Sequence, residues 1–294
     1  MFSAVIEFPD IAPEIFTIDL GRFSFALRWY ALAYIVGILL GWQLAKMALR
    51  RDRLWKNRPP MTGEQLSDLM TWIILGIIIG GRLGFVLFYQ PAYYLSNPGE
   101  IIAIWRGGMS FHGGFLGVGV AGLVFAWRHG LNAASLGDLL ALGAPAGLLL
   151  GRLANFINAE LWGRPSTVPW AVVFPGDAAL ACSNTAQGLC ARHPSQLYEA
   201  ALEGLALGAV LIWLAFRGGA LKRPGTLIGV FLLGYGLARF TVEFFRLADA
   251  QYITAQNPHG HVFAGLTMGQ VLSLPMVAAG MVILGLALAM GRKT

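Results

Sequence analysis

The chain has 294 residues, of which 56% are hydrophobic and only 12% charged, about half the charge of an ordinary soluble domain. Glycine fills 38 positions, there are two cysteines, and 21 bases against 15 acids leave a net charge of +6. These values exclude a disordered chain, a disulfide-stapled scaffold and a soluble nucleic-acid binder; an integral membrane protein remains.

In chain order, the N-terminal stretch carries Glu7, Asp10, Glu14 and Asp19 and no early basic region, so it does not read as a cleaved signal peptide. Seven apolar runs then follow, near 24–49, 66–90, 113–128, 135–158, 194–216, 225–245 and 267–290. A bilayer-crossing helix needs about 20 residues, and a barrel strand only about 10. The runs therefore predict an all-α integral membrane protein of about seven transmembrane helices. They form a single domain over 1–294, with no internal repeat. The third run is the shortest.

Basic residues sort by connection. Lys46, Arg50, Arg51, Arg53, Lys56 and Arg58 follow the first run, and Arg128 the third. Arg217, Lys222 and Arg223 follow the fifth, and Arg292 and Lys293 the seventh. These twelve face six on the opposite side: Arg22, Arg28, Arg106, Arg164, Arg192 and Arg246. The bias predicts a cytoplasmic C-terminus and an outside N-terminus, in agreement with an odd number of spans. The outer side then owns the long connections 91–112 and 159–193, an extracytoplasmic loop or head region. The second contains VPWAVVFPG, a short extended segment with a turn, and both Cys182 and Cys190, which could pair on an oxidising side.

Ionisable groups inside spans are costly and point to function. In the seven-span reading they share a depth in the outer half. Arg152 lies six residues, or roughly 9 Å, below the outer end of its helix. Arg239 is about as deep, Arg82 and Tyr30 are comparable, and Glu199, Glu203 and His112 lie near the same level. Arg152 and Asn155 share a face, and Glu160 follows on a similar one if the helix continues. Arg239 can pair with Glu243, and Arg246 extends that stripe. Ion pairs that only glue helices together are the bland alternative. Two arginines at one depth offer forks that match phosphate oxygens and stay charged when desolvated. They point to a phospholipid headgroup held from the outer side.

Glycine-dense strings at 80–84, 105–114 and 234–240 fit close helix packing. The string 105–114 also sets His112 at a helix start, where it could accept a proton or bind an anion. No metal-ligand spacing and no phosphate-cradling P-loop occur, so neither a metal nor a cofactor is expected. A phospholipid or anion transporter is the alternative function. It would need a two-sided route and internal repeats with broken helices.

GRLANFINAELWGR (151–164) closely resembles the signature of the phosphatidylglycerol–prolipoprotein diacylglyceryl transferase family. The resemblance extends to RWYALAY (28–34), GGRLGFVLFY (80–89), GGMSFHGG (107–114), RHPSQLYEA (192–200), GYGLARFTVEFFR (234–246) and MGQVLSLPM (268–276). It implies transfer of a diacylglyceryl group from phosphatidylglycerol to the thiol of a prolipoprotein's lipobox cysteine. A thioether forms and glycerol 1-phosphate leaves, in a bacterial inner membrane with the site toward the periplasm. The implied partners are phosphatidylglycerol, a prolipoprotein signal peptide and the bilayer. Carried over by position, the resemblance assigns Arg152, Asn155, Glu160, Gly163, Tyr235 and Arg246 to the lipid. It assigns His112, Arg239, Glu243 and Tyr30 to the chemistry. On this reading Arg152 and Arg239 hold the phosphate, Asn155 and Tyr30 position the headgroup, Glu160 and Glu243 orient the arginines, and His112 is the base or, where the arginine field alone lowers the thiol pKa, only a positioning residue. Asp138 matches a family position but reads as structural. Ala154 stands where glycine is more usual, and Arg28 where relatives can carry histidine.

Overall fold

The computed structural model describes residues 6–19, 21, 24–182 and 190–292, with the side chains of 24, 106, 111, 112, 291 and 292 left aside. Its long elements are helices: α1 (Trp29–Leu49), α2 (Gly63–Phe88), α4 (Phe111–Arg128), α5 (Ala133–Ile157), α9 (Thr226–Val242) and α10 (Met268–Arg292). The fifth apolar run is one continuous helix, Ser195–Phe216. It comprises α7 (Ser195–Glu199), a π-helical turn Ala200–Ala206 and α8 (Leu207–Phe216). Among the described residues five helices are long and apolar enough to cross a membrane, and two shorter apolar ones, Gly113–Arg128 and Thr226–Val242, pack among them.

The first run is shorter than its hydropathy predicts. Residues 24–28 are strand β3 (Ser24–Arg28), paired antiparallel with β2 (Glu14–Asp19), and α1 begins only at Trp29. Tyr30 therefore sits in the first turn of its helix, not six residues below the end. Further small elements join β2–β3 at that end. Strands β1 (Ile6–Glu7), β4 (Val172–Val173) and β5 (Ala191–Arg192) form a three-stranded sheet, and β6 (His261–Phe263) pairs with β7 (Leu266–Thr267). Short helices α3 (Pro91–Ser96) and α6 (Asp177–Leu180) lie in the two long connections. VPWAVVFPG supplies β4 and the turn after it, and Cys182 and Cys190 form a disulfide.

The surface departs from that of a soluble protein, although the core is apolar. Leu39, Ile79, Val120, Val282 and Leu286 are exposed, while Arg82, Asp138, Gln196, Glu199, Glu203 and Glu243 are buried. Such a surface suits lipid, and the buried charges must then find partners within the bundle. Helix α5 is central and packs on α1, α4, α7, α8 and α9, while α2 pairs with α4 and α9 with α10. Glycines set these distances. A Cβ on Gly80 would lie 2.4 Å from the Gly113 carbonyl oxygen, and one on Gly37 2.8 Å from Gly147 Cα. Close backbone approach of this kind drives helix association where lipid removes the hydrophobic drive.

The basic connections gather at the end opposite the small strands. The turn after α1 (Asp52–Leu54) touches the turn after α8 (Ala220–Lys222), and Arg51 stacks on Phe216. At this end the buried Asp138 carboxylate accepts the Gly225 and Ile228 backbone N–H groups, 2.8 and 2.9 Å away, and so caps α9 from another helix.

Candidate active site

The strand-bearing end of the bundle holds a buried charge cluster. Arg152 projects from α5, and its two terminal nitrogens reach Glu199 Oε2 (3.2 Å) and Glu203 Oε2 (3.7 Å). Arg239, near the end of α9, reaches Glu199 Oε1 (3.1 Å) with one nitrogen and pairs with Glu243 through the other. Arg246 lies 3.8 Å from Glu199 and 3.9 Å from Glu243. Three guanidiniums thus meet three carboxylates, and Glu199 is the contact all three arginines share. Glu199 and Glu203 are fully buried, whereas each arginine side chain keeps 13–14% of its surface accessible. Tyr235, buried one turn before Arg239, lies against Arg152. The π-helical turn Ala200–Ala206 begins directly after Glu199 and contains Glu203; such turns recur at functional sites.

A second, hydrogen-bonded group adjoins the first through α5. Asn155, three residues after Arg152, donates from Nδ2 both to the Tyr30 hydroxyl and to Glu160 Oε1, the latter at 2.8 Å. The helix does not continue to Glu160. Ala159 (φ 52°) and Leu161 (φ 55°) stand in the left-handed region, and this turn folds Glu160 back onto Asn155. Non-glycine residues hold that conformation only where the surroundings enforce it. Here Ser195 Oγ donates to the Leu161 carbonyl (3.0 Å) and Gln196 Nε2 to that of Glu160 (2.5 Å). Burial pushes the Glu160 carboxyl above the usual carboxylate range. Glu160 therefore orients Asn155; its expected ion pair with an arginine is not formed.

Gly163 acts through its backbone. Its N–H donates to the His193 carbonyl (2.8 Å), it bridges to Arg246, and a Cβ would lie 2.4 Å from the Phe245 carbonyl oxygen. It locks the segment after α5 against the one that carries Arg246. His193 bonds the Tyr198 hydroxyl (3.0 Å) and packs on Phe245, and burial pushes its imidazole below the ordinary value.

Arg82 is not part of this cluster. Its guanidinium donates to the carbonyls of Ile101 (2.7 Å), Gly107 (2.6 Å), Gly108 (3.1 Å) and Glu100 (2.7 Å) and ties down the connection before α4. Ser110 then caps α4 by accepting the Gly113 N–H (3.2 Å). His112 occupies the first turn of α4, and its side chain lies outside the described residues. Glu199 and Glu203, at the expected level but absent from the expected site, belong to the cluster. Their four-residue spacing within one span was the available signal.

Chemically, the cluster offers three desolvated forks whose charges are balanced internally. An anion entering it exchanges a carboxylate partner for its own oxygens. A phosphodiester suits that exchange, because guanidinium binds phosphate and carboxylate with the same two-pronged geometry.

A family model described as prolipoprotein diacylglyceryl transferase matches residues 15–286. The phosphatidylglycerol–prolipoprotein diacylglyceryl transferase of Ruegeria pomeroyi is 63% identical over 284 residues, covering 95% of this chain and 96% of that protein. The protein of that name from Roseobacter denitrificans is 61% identical over 282 residues (94% and 96%). The one from Rhodopseudomonas palustris is 49% identical over 281 residues (95% and 91%).

Proposed function

This chain belongs to the prolipoprotein diacylglyceryl transferase family, and from that premise we propose that it moves the diacylglyceryl group of phosphatidylglycerol onto the lipobox cysteine of a prolipoprotein signal peptide. The thiol sulfur bonds to the glyceryl carbon, and the bond from that carbon to the phosphate oxygen breaks. Glycerol 1-phosphate leaves, and the thiol proton passes to a base and finally to the product. The carrying observation is the buried cluster of Arg152, Arg239 and Arg246 around Glu199.

Arg152 and Arg239 hold the phosphate as its charge grows; preorganised cations in a water-poor site do this without reorganising during the reaction. Arg246 and Tyr235 line the same place. Tyr30 and Asn155 position the headgroup, and Glu160 fixes Asn155. Gly163 closes the segment over them, and Glu243 orients Arg239. His112 takes the thiol proton, because thiolate is the nucleophile. Near-normal turnover of His112→Gln across pH, with Arg239→Ala inactive, would remove that assignment.

All seven apolar helices cross the inner membrane, with the N-terminus and the cluster toward the periplasm. Support comes from the basic residues at the far end of the bundle, which the positive-inside bias assigns to the cytoplasm. The disulfide at the cluster end also suits an oxidising compartment. The deciding assay reconstitutes the purified protein with phosphatidylglycerol and a lipobox peptide and measures glycerol phosphate. Release that depends on the peptide thiol is expected; no release where a relative is active would overturn the reading.

A further inference from the structure

Residues 267–270 join β7 to α10 and meet the arginine cluster through Glu243. Thr267 is buried, with 3% of its surface accessible. Its backbone N–H donates to Gln270 Oε1 (3.1 Å), and its hydroxyl oxygen accepts the Gln270 backbone N–H (3.4 Å). This reciprocal cap recurs at the start of α2, where Thr62 and Gln65 exchange the same two bonds at 3.2 and 2.9 Å. The two caps differ in the hydroxyl proton. Thr62 is exposed, and its hydroxyl only caps the helix. The hydroxyl of Thr267 also donates to Glu243 Oε2 at 2.6 Å.

Gly269 completes the arrangement. A Cβ there would lie 2.4 Å from both Cδ and Oε1 of Glu243. The Glu243 carboxylate fills the volume that any side chain at 269 would need. It is thus held by the Thr267 hydroxyl on one oxygen, the Arg239 guanidinium on the other, and bare backbone beside it. A glutamate otherwise retains several rotamers, and a guanidinium anchored to a wandering carboxylate inherits its disorder.

We infer that Thr267 and Gly269 are positioning residues for the transfer reaction: they fix Glu243, and Glu243 fixes the fork of Arg239 where the phosphate departs. This rests on the phosphate role proposed for Arg239. Thr267 has two duties, a cap on α10 and a bond to Glu243, and substitutions separate them.

The test measures glycerol phosphate release by the full chain in phosphatidylglycerol proteoliposomes, with kcat and KM resolved. Thr267→Val is expected to lower kcat roughly ten- to hundredfold, the effect of losing a hydrogen bond to a charged group, with a smaller change in KM. Thr267→Ser restores both bonds and most of the activity. Thr62→Val removes an equivalent cap far from the cluster and leaves kcat unchanged, which separates positioning from loss of helix stability. In a Glu243→Gln background, Thr267→Val is expected to add little further loss, because both changes cut the same link. Gly269→Ala should behave like Thr267→Val. Losses that multiply independently in the double variant, or a Thr267→Ser as slow as Thr267→Val, overturn the inference. A wild-type protein that releases no product overturns the transferase reading instead.

Discussion

Arg239 bonds two carboxylates with two separate nitrogens, as Arg152 does, and this geometry needs a guanidinium. A lysine keeps the charge but is a point donor that cannot bridge Glu199 and Glu243 as a planar fork. Arg239→Lys is therefore expected to lose at least about tenfold in transfer rate, measured by product release at saturating lipid. His193 yields a prediction about stability. Its imidazole is half-buried against Phe245 and the Tyr198 ring, so burial disfavours the charged form and its folded pKa lies below the ordinary 6.5. The unfolded chain then binds more protons as pH falls through 6.5, and the folded state loses stability from there down to the depressed value. Melting temperature in detergent should drop across that window. The drop should be smaller in His193→Asn, and an unchanged slope would refute the account.

Among the helices, α9 depends on an anchor supplied by another helix. Its N-terminal N–H groups at 225 and 228 end on Asp138 of α5, fully buried. Asp138→Ala strands those donors in the bundle and is expected to cost about 1–3 kcal/mol, read as a lower melting temperature. Because α9 carries Tyr235 and Arg239, activity should fall with it. The helices were legible in the sequence because long apolar runs have few alternatives in a bilayer. What escaped was set by contacts distant in sequence or made to backbone. Residues 24–28 are apolar enough to extend α1, and only their pairing with 14–19 makes them a strand. Glu160 looked like an arginine partner until the left-handed Ala159 and Leu161 turned it onto Asn155. Arg82 stands in the sequence at a depth comparable to Arg152 and Arg239, and its separate task is not legible there because its acceptors are backbone carbonyls, which leave no mark in a sequence. The pairing of Arg239 with Glu243 was readable because both stand on one helical stripe.

The whole molecule is polarised, with basic turns at one end and small strands, the disulfide and the charge cluster at the other. The proposed orientation makes a direct prediction. In a Cys182→Ser, Cys190→Ser background, Gln256→Cys should react with a membrane-impermeant maleimide added to spheroplasts, and Asn57→Cys only after lysis. Both positions are exposed, so a reversed pattern would invert the topology.

The parallel pairing of Ile6 with Val172 and Glu7 with Val173 bears on how the molecule is made. A ribosome releases residues 6 and 7 long before residue 172 exists, and the intervening helices must be threaded first. The first strand therefore waits, unpaired, through most of synthesis. Because β4 also binds β5, the sheet closes only once residues 191–192 have followed. Maturation of the strand-bearing end is thus a late event in the life of the nascent chain. A stalled or truncated product would carry inserted helices beneath an unassembled cap, a state that quality-control proteases could recognise by its loose leading strand.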